Sequence, residues 1–388
     1  MPVLWVSFGD NGGMTSASYS SAAAEPFEGL RIRGVAKTFG ADTTVLNEID
    51  LDVHPGELIS LVGSSGTGKS TLLRIIAGLE EPSAGRVTYA GQPLERGSVG
   101  VVFQRPILYP HLSVKDNILF PTRLGAFSGA VDMDYYRELL EALKLEGLES
   151  RKPSQLSGGQ AQRVGIARAL IRRAPVVLFD EPLASVDEQM SASIRADIVR
   201  LHERYGFTGL YVTHDQNEAL MLGQRVAVMD AGYLVQVDTP ERLLAHPHTL
   251  QVAKLLAAPA LNLLALEDSE SLPVGCELAI RATALCPVAA DAAHALPVQV
   301  LGSRHLVGGM LYRARLLKAV SLLLESRRAS AESELSARMR ARVRAGQELE
   351  FFISDAQGTA SLNVGERVHL GVAAERCFLF SGGKRFYL

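Results

Sequence analysis

The stretch "GSSGTGKST", residues 63–71, fits the pattern G-x-x-x-x-G-K-[ST] and follows directly on the short apolar run "LISLVG". An apolar run of that length closing on glycine predicts a buried strand. The "TLLRIIAGL" beyond it has the apolar spacing of a helix closed by Gly78. A strand, a glycine-rich turn and a helix in that order leave room for little but an α/β layer built on a parallel sheet. The turn also has a chemistry. Glycines let successive N–H groups face inward on an anion, and the helix start adds the positive end of its dipole. Gly63, Ser64, Ser65, Gly66, Thr67, Gly68, Lys69, Ser70 and Thr71 are therefore expected to cradle a row of phosphates. Lys69 supplies a mobile positive charge at the β/γ end, and the Ser70 hydroxyl is placed for Mg²⁺.

A second helix start of this kind occurs far downstream. "LSGGQAQRVGIARAL", residues 156–170, sets a serine and two glycines, Ser157, Gly158 and Gly159, followed by Gln160, where a helix is expected to begin. Other strands close on polar side chains. "APVVLFDEP" is all apolar until Asp180 and Glu181, "GLYVTHD" ends at His214, and "VVFQRP" ends at Gln104. In an open parallel sheet the carboxyl ends of the strands face the ligand crevice. Asp180 is then placed for the metal, directly or through water, and Glu181 for orienting or deprotonating an attacking water. His214 is aimed at the same crevice, and the Gln104 amide can bond Mg²⁺ or water without adding charge. Phe39, in "KTFGADTTVL", is either a platform for an adenine ring or a core side chain.

Alternation of strands and helices from Leu30 to about Gly232 predicts a mainly parallel sheet covered on both faces. Residues 106–171 interrupt it with helical spacing, notably "VDMDYYRELLEALKL", and read as a helical insert. After Asn262 the texture changes to short strands between Gly/Pro turns ("GCELAI", "LPVQVLGS", "QELEFFIS", "ERVHLGV"), as in a small β-barrel-like domain. Within it, residues 315–346 are ambiguous: strand or helix in the first half, an Arg- and Ala-rich polar helix in the second. Residues 1–28 are rich in Ser, Ala and Gly, carry no Lys or Arg, and read as a disordered extension without the basic region of a signal peptide.

The net charge of −3 in 388 residues gives no reason to expect nucleic acid as a partner. Three widely spaced cysteines, Cys276, Cys286 and Cys377, make no metal pattern and read as reduced thiols. No apolar run approaches the roughly 18 residues of a membrane span. Any membrane role is expected to come through a partner.

With "GSSGTGKST", "VVFQ", "LSGGQAQR", "VVLFDEP" and "VTHD" in this order, residues 30–250 resemble the ATP-binding-cassette ATPases. The resemblance implies a P-loop NTPase cassette over residues 29–262, with its helical insert at about 106–171, and a small all-β (OB/TOBE-like) domain over 263–388. It implies ATP and Mg²⁺ as ligands, with Ser70, Gln104 and Asp180 at the metal and Glu181, His214 and Gln104 in catalysis. It also explains why one chain carries two anion-binding helix starts. In the family, the Leu-Ser-Gly-Gly-Gln signature of one subunit caps the γ-phosphate held by the phosphate loop of another, so ATP joins a dimer. One departure is "PLASVD" where "PLSALD" is usual: Ala184 stands at the common serine, while Asp187 is kept.

"QRPILYPHLSVKDNILF", residues 104–120, resembles the importer version of the segment that contacts the permease. The residues leading into the β-rich tail resemble those of carbohydrate importers. "LAIRATAL", where a "GIRPE"-like stretch is usual, departs from that pattern. The implied protein is a peripheral ATPase at the cytoplasmic face of the cell membrane. It would work with two transmembrane permeases and, indirectly, an extracytoplasmic solute-binding protein. The implied cargo is a sugar or glycerol phosphate, with polyamine, iron or sulfate as the alternatives.

Overall fold

The computed structural model describes residues 4–6, 27–40, 42–124, 131–267, 272, 275–292, 295–327, 336–355, 361–372 and 377–385. The chain divides into two compact units, residues 20–240 and residues 241–388 together with 1–19. The short β1, Leu4–Val6, belongs to the latter.

The 20–240 unit begins with an antiparallel sheet. Its members are β2 (Leu30–Phe39), β3 (Thr43–Val53), β5 (Ala84–Tyr89) and β6 (Gln92–Pro93), in the order β3-β2-β5-β6. The central sheet contains β4 (Leu58–Val62), β7 (Gly100–Val102), β8 (Val176–Asp180), β9 (Thr208–Thr213), β10 (Arg225–Asp230) and β11 (Tyr233–Asp238). Its order is β11-β10-β4-β9-β8-β7, parallel throughout except for β11. Every residue of β4 and β9 is buried. That is why these strands read as unbroken apolar runs rather than alternating ones. Helix α1 (Lys69–Ile76) lays Leu72, Leu73, Ile75 and Ile76 on a core shared with Leu61, Leu178 and Val212. Each such side chain contributes about 1.5–3 kcal/mol by leaving water.

β7 and β8 are neighbours in the sheet, yet the expected helical insert lies between them in sequence. It supplies α2 (Val114–Leu119), α3 (Met133–Ala142) and α4 (Gly158–Leu170). Their apolar faces, among them Ile118, Tyr135, Leu139 and Val164, share one cluster with α5 (Glu188–Tyr205) through Ile194 and Ile198. α6 (Gln216–Leu222) follows β9. At the start of β4 and β10, buried Glu57 accepts two hydrogen bonds from Arg225, at 2.6 and 2.9 Å, and one from the His54 backbone. Burial pushes the Glu57 carboxyl up, but these donors prevail and hold it below its ordinary value.

The second unit starts with α7 (Pro240–Ala245) and α8 (Leu250–Leu255), followed by β12 (Leu261–Ala265) and β13 (Glu277–Arg281). Then come β14 (Leu285–Val288), β15 (Leu296–Leu306), β16 (Gly309–Leu316), β17 (Val320–Arg327) and β18 (Ser336–Val343). It ends with β19 (Glu348–Ser354), β20 (Arg367–Val372), β21 (Cys377–Ser381) and β22 (Lys384–Arg385). They form three sheets, β14-β20-β15-β16-β19, β12-β13-β21-β22 and β1-β17-β18. The core packs Leu278, Leu370 and Leu379 with Tyr312 and Phe351, whose rings stack at 5.1 Å.

The compact units divide at 240/241, whereas the sequence led to a border at 262. The intervening segment belongs with the β-rich unit: Ala253 packs on Phe378 and Phe380, Arg281 donates to Leu256 O at 2.6 Å, and Asn262 Nδ2 donates to Ile280 O and Glu350 O. Residues 320–327 and 336–343 are paired antiparallel strands, so the stretch 336–343 expected to be helical is a strand. Within the expected disordered extension, Leu4–Val6 pair in parallel with β17; residues 1–3 and 7–26 lie outside the described residues.

Candidate functional site

The parallel arrangement brings the carboxyl ends of β7, β8, β4 and β9 to one edge of the sheet, with Val62 opposite Thr213 and Asp180 opposite Val212. The loop after β4 fills that edge. A Cβ on Gly63 would come within 2.4 Å of Met229 O, and Gly68 takes φ +98 to start α1 without a side-chain cap. The first N–H groups of α1 thus have no side-chain acceptor, which leaves them available to an anion. Thr67 Oγ1 donates to Ser64 O at 2.9 Å and closes the loop.

Lys69 is only 5% exposed, and its Nζ donates to Gly63 O at 2.8 Å and Ser64 O at 2.9 Å. Burial pulls its pKa down, while the charges of Glu181 and Asp180 push it back up. Ser70 Oγ donates to Asp180 Oδ1 at 3.1 Å, so the hydroxyl and the carboxylate converge on one point. Burial raises the Asp180 carboxyl above its usual range despite that hydrogen bond. A hard oxygen pair beside a phosphate cradle suits Mg²⁺, which takes one or two protein oxygens and completes its shell with phosphate and water.

Glu181 follows at φ +44, with its N–H donating to Val212 O at 2.9 Å. Its Oε2 lies 3.0 Å from Nδ1 of His214. A carboxylate held by an imidazole at the mouth of a phosphate cradle can orient a water and accept its proton. Gln104 lies two residues beyond β7; it is exposed, and its carbonyl accepts from Ser185 Oγ at 3.1 Å. Phe39 ends β2 with 43% of its surface exposed, so it is not a core side chain, and Lys37 Nζ lies 4.8 Å from its ring centre.

Ser157 caps α4. Its Oγ accepts from Gln160 N at 3.2 Å and its N–H donates to Gln160 Oε1 at 3.0 Å, while Ser157 and Gly158 are exposed. Accepting leaves the Ser157 O–H still able to donate outward. Among the described residues, no hydrogen bond or ion pair joins Ser157, Gly158, Gly159 or Gln160 to the phosphate loop.

Two buried polar residues escaped the sequence reading. Glu218 accepts from Tyr211 OH at 3.1 Å and from Thr213 Oγ1 at 2.8 Å, and Thr213 Oγ1 in turn accepts from Asp215 N. It thereby fixes the backbone on both sides of His214. Its only signal is a carboxylate four residues beyond that histidine. Asn117, wholly buried, accepts from Tyr109 N and donates to the carbonyls of Tyr109, Leu112 and Ser113. A cavity of about 430 Å³ opens elsewhere in this unit, at the amino ends of the strands, lined in part by Tyr135, Arg173 and Arg204. It shares no residue with the site. Its two arginines are paired with Asp132 and Glu138.

The family model described as ABC transporter matches residues 46–184. The sn-glycerol-3-phosphate import ATP-binding protein UgpC 1 of Rhizobium johnstonii is 46% identical over 241 residues, 61% of this chain and 65% of that protein. UgpC of Salmonella typhi is 43% identical over 266 residues, 66% of this chain and 74% of its own length. Among solved structures, cbiO1 from Clostridium perfringens, part of the ABC transporter complex cbiONQ, superposes with a TM-score of 0.52 at 27% identity. That match covers 57% of this chain and 92% of cbiO1. A glycine-rich loop with a buried lysine after β4, Asp180 and Glu181 at the carboxyl end of β8 and relatives of this identity lead to one assignment: the chain belongs to the ABC transporter family, as an ATP-binding and ATP-hydrolysing member.

Proposed function

We propose that this chain is the ATPase subunit of an importer, energising uptake of a small solute of the glycerol-phosphate or sugar class through partner permeases. The observation that carries the reading is the meeting of Lys69, Ser70–Asp180 and Glu181–His214 at one sheet edge, in a chain whose relatives are named as import proteins. Phe39 stacks on the adenine. The loop from Gly63 to Thr71 binds the triphosphate, with Lys69 countering its charge. Ser70 and Asp180 would hold Mg²⁺, with Gln104 binding it or its water, and the ion would supply positive charge against the phosphate oxygens. Glu181, held by His214, takes a proton from the water that attacks the γ-phosphorus, the bond from that phosphorus to the β–γ bridging oxygen breaks, and ADP leaves with phosphate as the other product.

Ser157, Gly158, Gly159 and Gln160 act in trans, capping ATP on a second copy or on a paired ATPase. One helix dipole is worth about half a charge, far short of what a triphosphate carries, so sharing the ligand between two chains is electrostatically sound. Among the described residues no helix is long and apolar enough to cross a membrane. The importer role would place the protein at the cytoplasmic face, acting through its permeases. The side chains for that contact stand outside the clamped backbone of residues 107–112: Ile107 is 65% exposed and Tyr109 39%.

Glu181→Gln tests the site. It keeps ATP binding, lowers turnover by roughly 10²–10⁴-fold, and lets ATP trap a dimer visible in gel filtration. Near-wild-type turnover would remove Glu181 from its role. The importer reading is tested with the permeases in vesicles. Glycerol phosphate or a sugar, delivered by its binding protein, should stimulate the ATPase, and indifference to both would assign another cargo.

A further inference from the structure

We propose that Gln162 and Ser185 are positioning residues that grip two consecutive backbone carbonyls, those of Phe103 and Gln104, and so set where the Gln104 amide lies relative to Glu181. The proposal rests on the reading of Gln104 as a site residue.

β7 ends at Val102, and from Phe103 to Ser113 the backbone belongs to no helix or strand. Side chains hold it instead. Gln162 Nε2 donates to Phe103 O at 3.2 Å, Ser185 Oγ to Gln104 O at 3.1 Å, and Arg168 Nη1 to Ile107 O at 2.7 Å. Asn117 holds Tyr109 by both its N–H and its carbonyl. The first two grips come from different motifs. Gln162 sits on α4, five residues after the cap Ser157. Ser185 sits in the turn between Glu181 and the α5 cap Asp187, closed by Ala184 N to Glu181 O and Val186 N to Leu183 O.

Gln162 is wholly buried, yet its Oε1 has no hydrogen-bond partner. A buried acceptor left unsatisfied is destabilising, so packing alone favours an apolar side chain at this position. What the amide contributes is the hydrogen bond to Phe103. Ser185 gives an independent argument. Its hydroxyl, on an exposed turn that needs no polar group there for packing, reaches the Gln104 carbonyl from a part of the chain separate from α4. The start of α4, the turn after Glu181 and the segment leading to Tyr109 are thereby tied to one short piece of backbone. A shift at Gln104 is felt by all three.

The test is steady-state hydrolysis by the full-length chain with Mg²⁺-ATP. Ser185→Ala and Gln162→Leu should each lower kcat by about 3–10-fold, the range that one hydrogen bond represents, with KM for ATP within about twofold of wild type. Ser185→Thr keeps the hydroxyl and should restore the rate. Because both residues act on the same segment, the double variant should lose less than the product of the single losses. Gln162→Leu should melt no lower than wild type, which separates its role from a purely structural one. Ser185 is exposed, so its variants test the proposal even where Gln162→Leu folds poorly. An active wild type with an unchanged kcat in Ser185→Ala would overturn the inference while leaving the site reading intact. So would a threonine variant as slow as alanine, or a loss confined to KM.

Discussion

Glu181 occupies left-handed backbone space that costs a non-glycine residue on the order of 1–3 kcal/mol, and it stays there because its N–H is fixed to Val212 O. Its neighbour carries a second cost. Burial lifts the Asp180 carboxyl above its ordinary value of 3.8. The sign of the consequence follows from linkage. Below about pH 4 the group is protonated both folded and unfolded and makes no difference. As pH rises through the higher folded value, the folded chain gives up a proton it holds better than the unfolded chain does, and stability is lost. Asp180→Asn should therefore raise the melting midpoint at pH 7.5 without Mg²⁺ by ~1–3 °C, an advantage that fades toward pH 4. The same variant should lose Mg²⁺-dependent hydrolysis. A lower midpoint at pH 7.5 would show that the charge is satisfied where it lies. The identities at the strand ends were legible in the sequence, because apolar runs that close on Asp-Glu, His or Gln announce themselves. The strain at Glu181 and the support from Glu218 were not, since both depend on partners that only the folded sheet brings near.

At the scale of the element, the start of α4 has two duties that a substitution can separate. Ser157 and Gln160 form a reciprocal cap, legible as S-x-x-Q, and under the proposed function the exposed helix start is the surface that would meet a second chain's ATP. Aspartate caps a helix as well as serine does, but it brings a negative charge to where the γ-phosphate must lie. Ser157→Asp should leave the melting midpoint within a degree or two of wild type, on the scale at which caps matter. ATP-driven dimerisation and hydrolysis should fall by more than about tenfold, the effect of ~1.4 kcal/mol of repulsion. Normal hydrolysis in this variant would end the shared-site argument. Elements were less legible where local propensity and long-range pairing disagree. "SARMRARV" is rich in helix formers, yet it runs as β18 opposite β17, with Val343 across from Val320 and Ala341 across from Leu322. Leu322, Ala341 and Val343 are all buried there, and that gain outweighs the few tenths of a kcal/mol per residue by which Ala and Arg prefer a helix.

For the whole molecule, the compact units divide about twenty residues before the border expected from the sequence, and the contacts of the intervening segment give a physical reason. α7 and α8 look like the last helices of an α/β domain, whereas they are tied to strands of the β-rich unit, β13 and, more than a hundred residues away, β22. Leu250 N donates to Gly383 O, Arg385 N to His248 O, and Thr249 bridges to Lys384. The asparagine taken as the junction is itself an internal tie of the β-rich unit, since Asn262 Oδ1 accepts from Glu350 N at 2.6 Å. Two shortened chains distinguish the borders. A chain ending at Pro240 keeps the 20–240 unit and every residue of the site, and should be monomeric, melt cooperatively and bind ATP. A chain ending at Asn262 should keep the site too, but it carries residues 241–262 without Phe378, Phe380, Arg281 or Glu350. Val252 and Leu256, buried in the full chain, then face water at a cost of about 1.5–3 kcal/mol each. The longer chain should therefore aggregate sooner on heating and bind a hydrophobic dye that the shorter one ignores. If instead the chain ending at Asn262 is the better behaved of the two, residues 241–262 pack on the cassette, and the border belongs where the sequence first placed it.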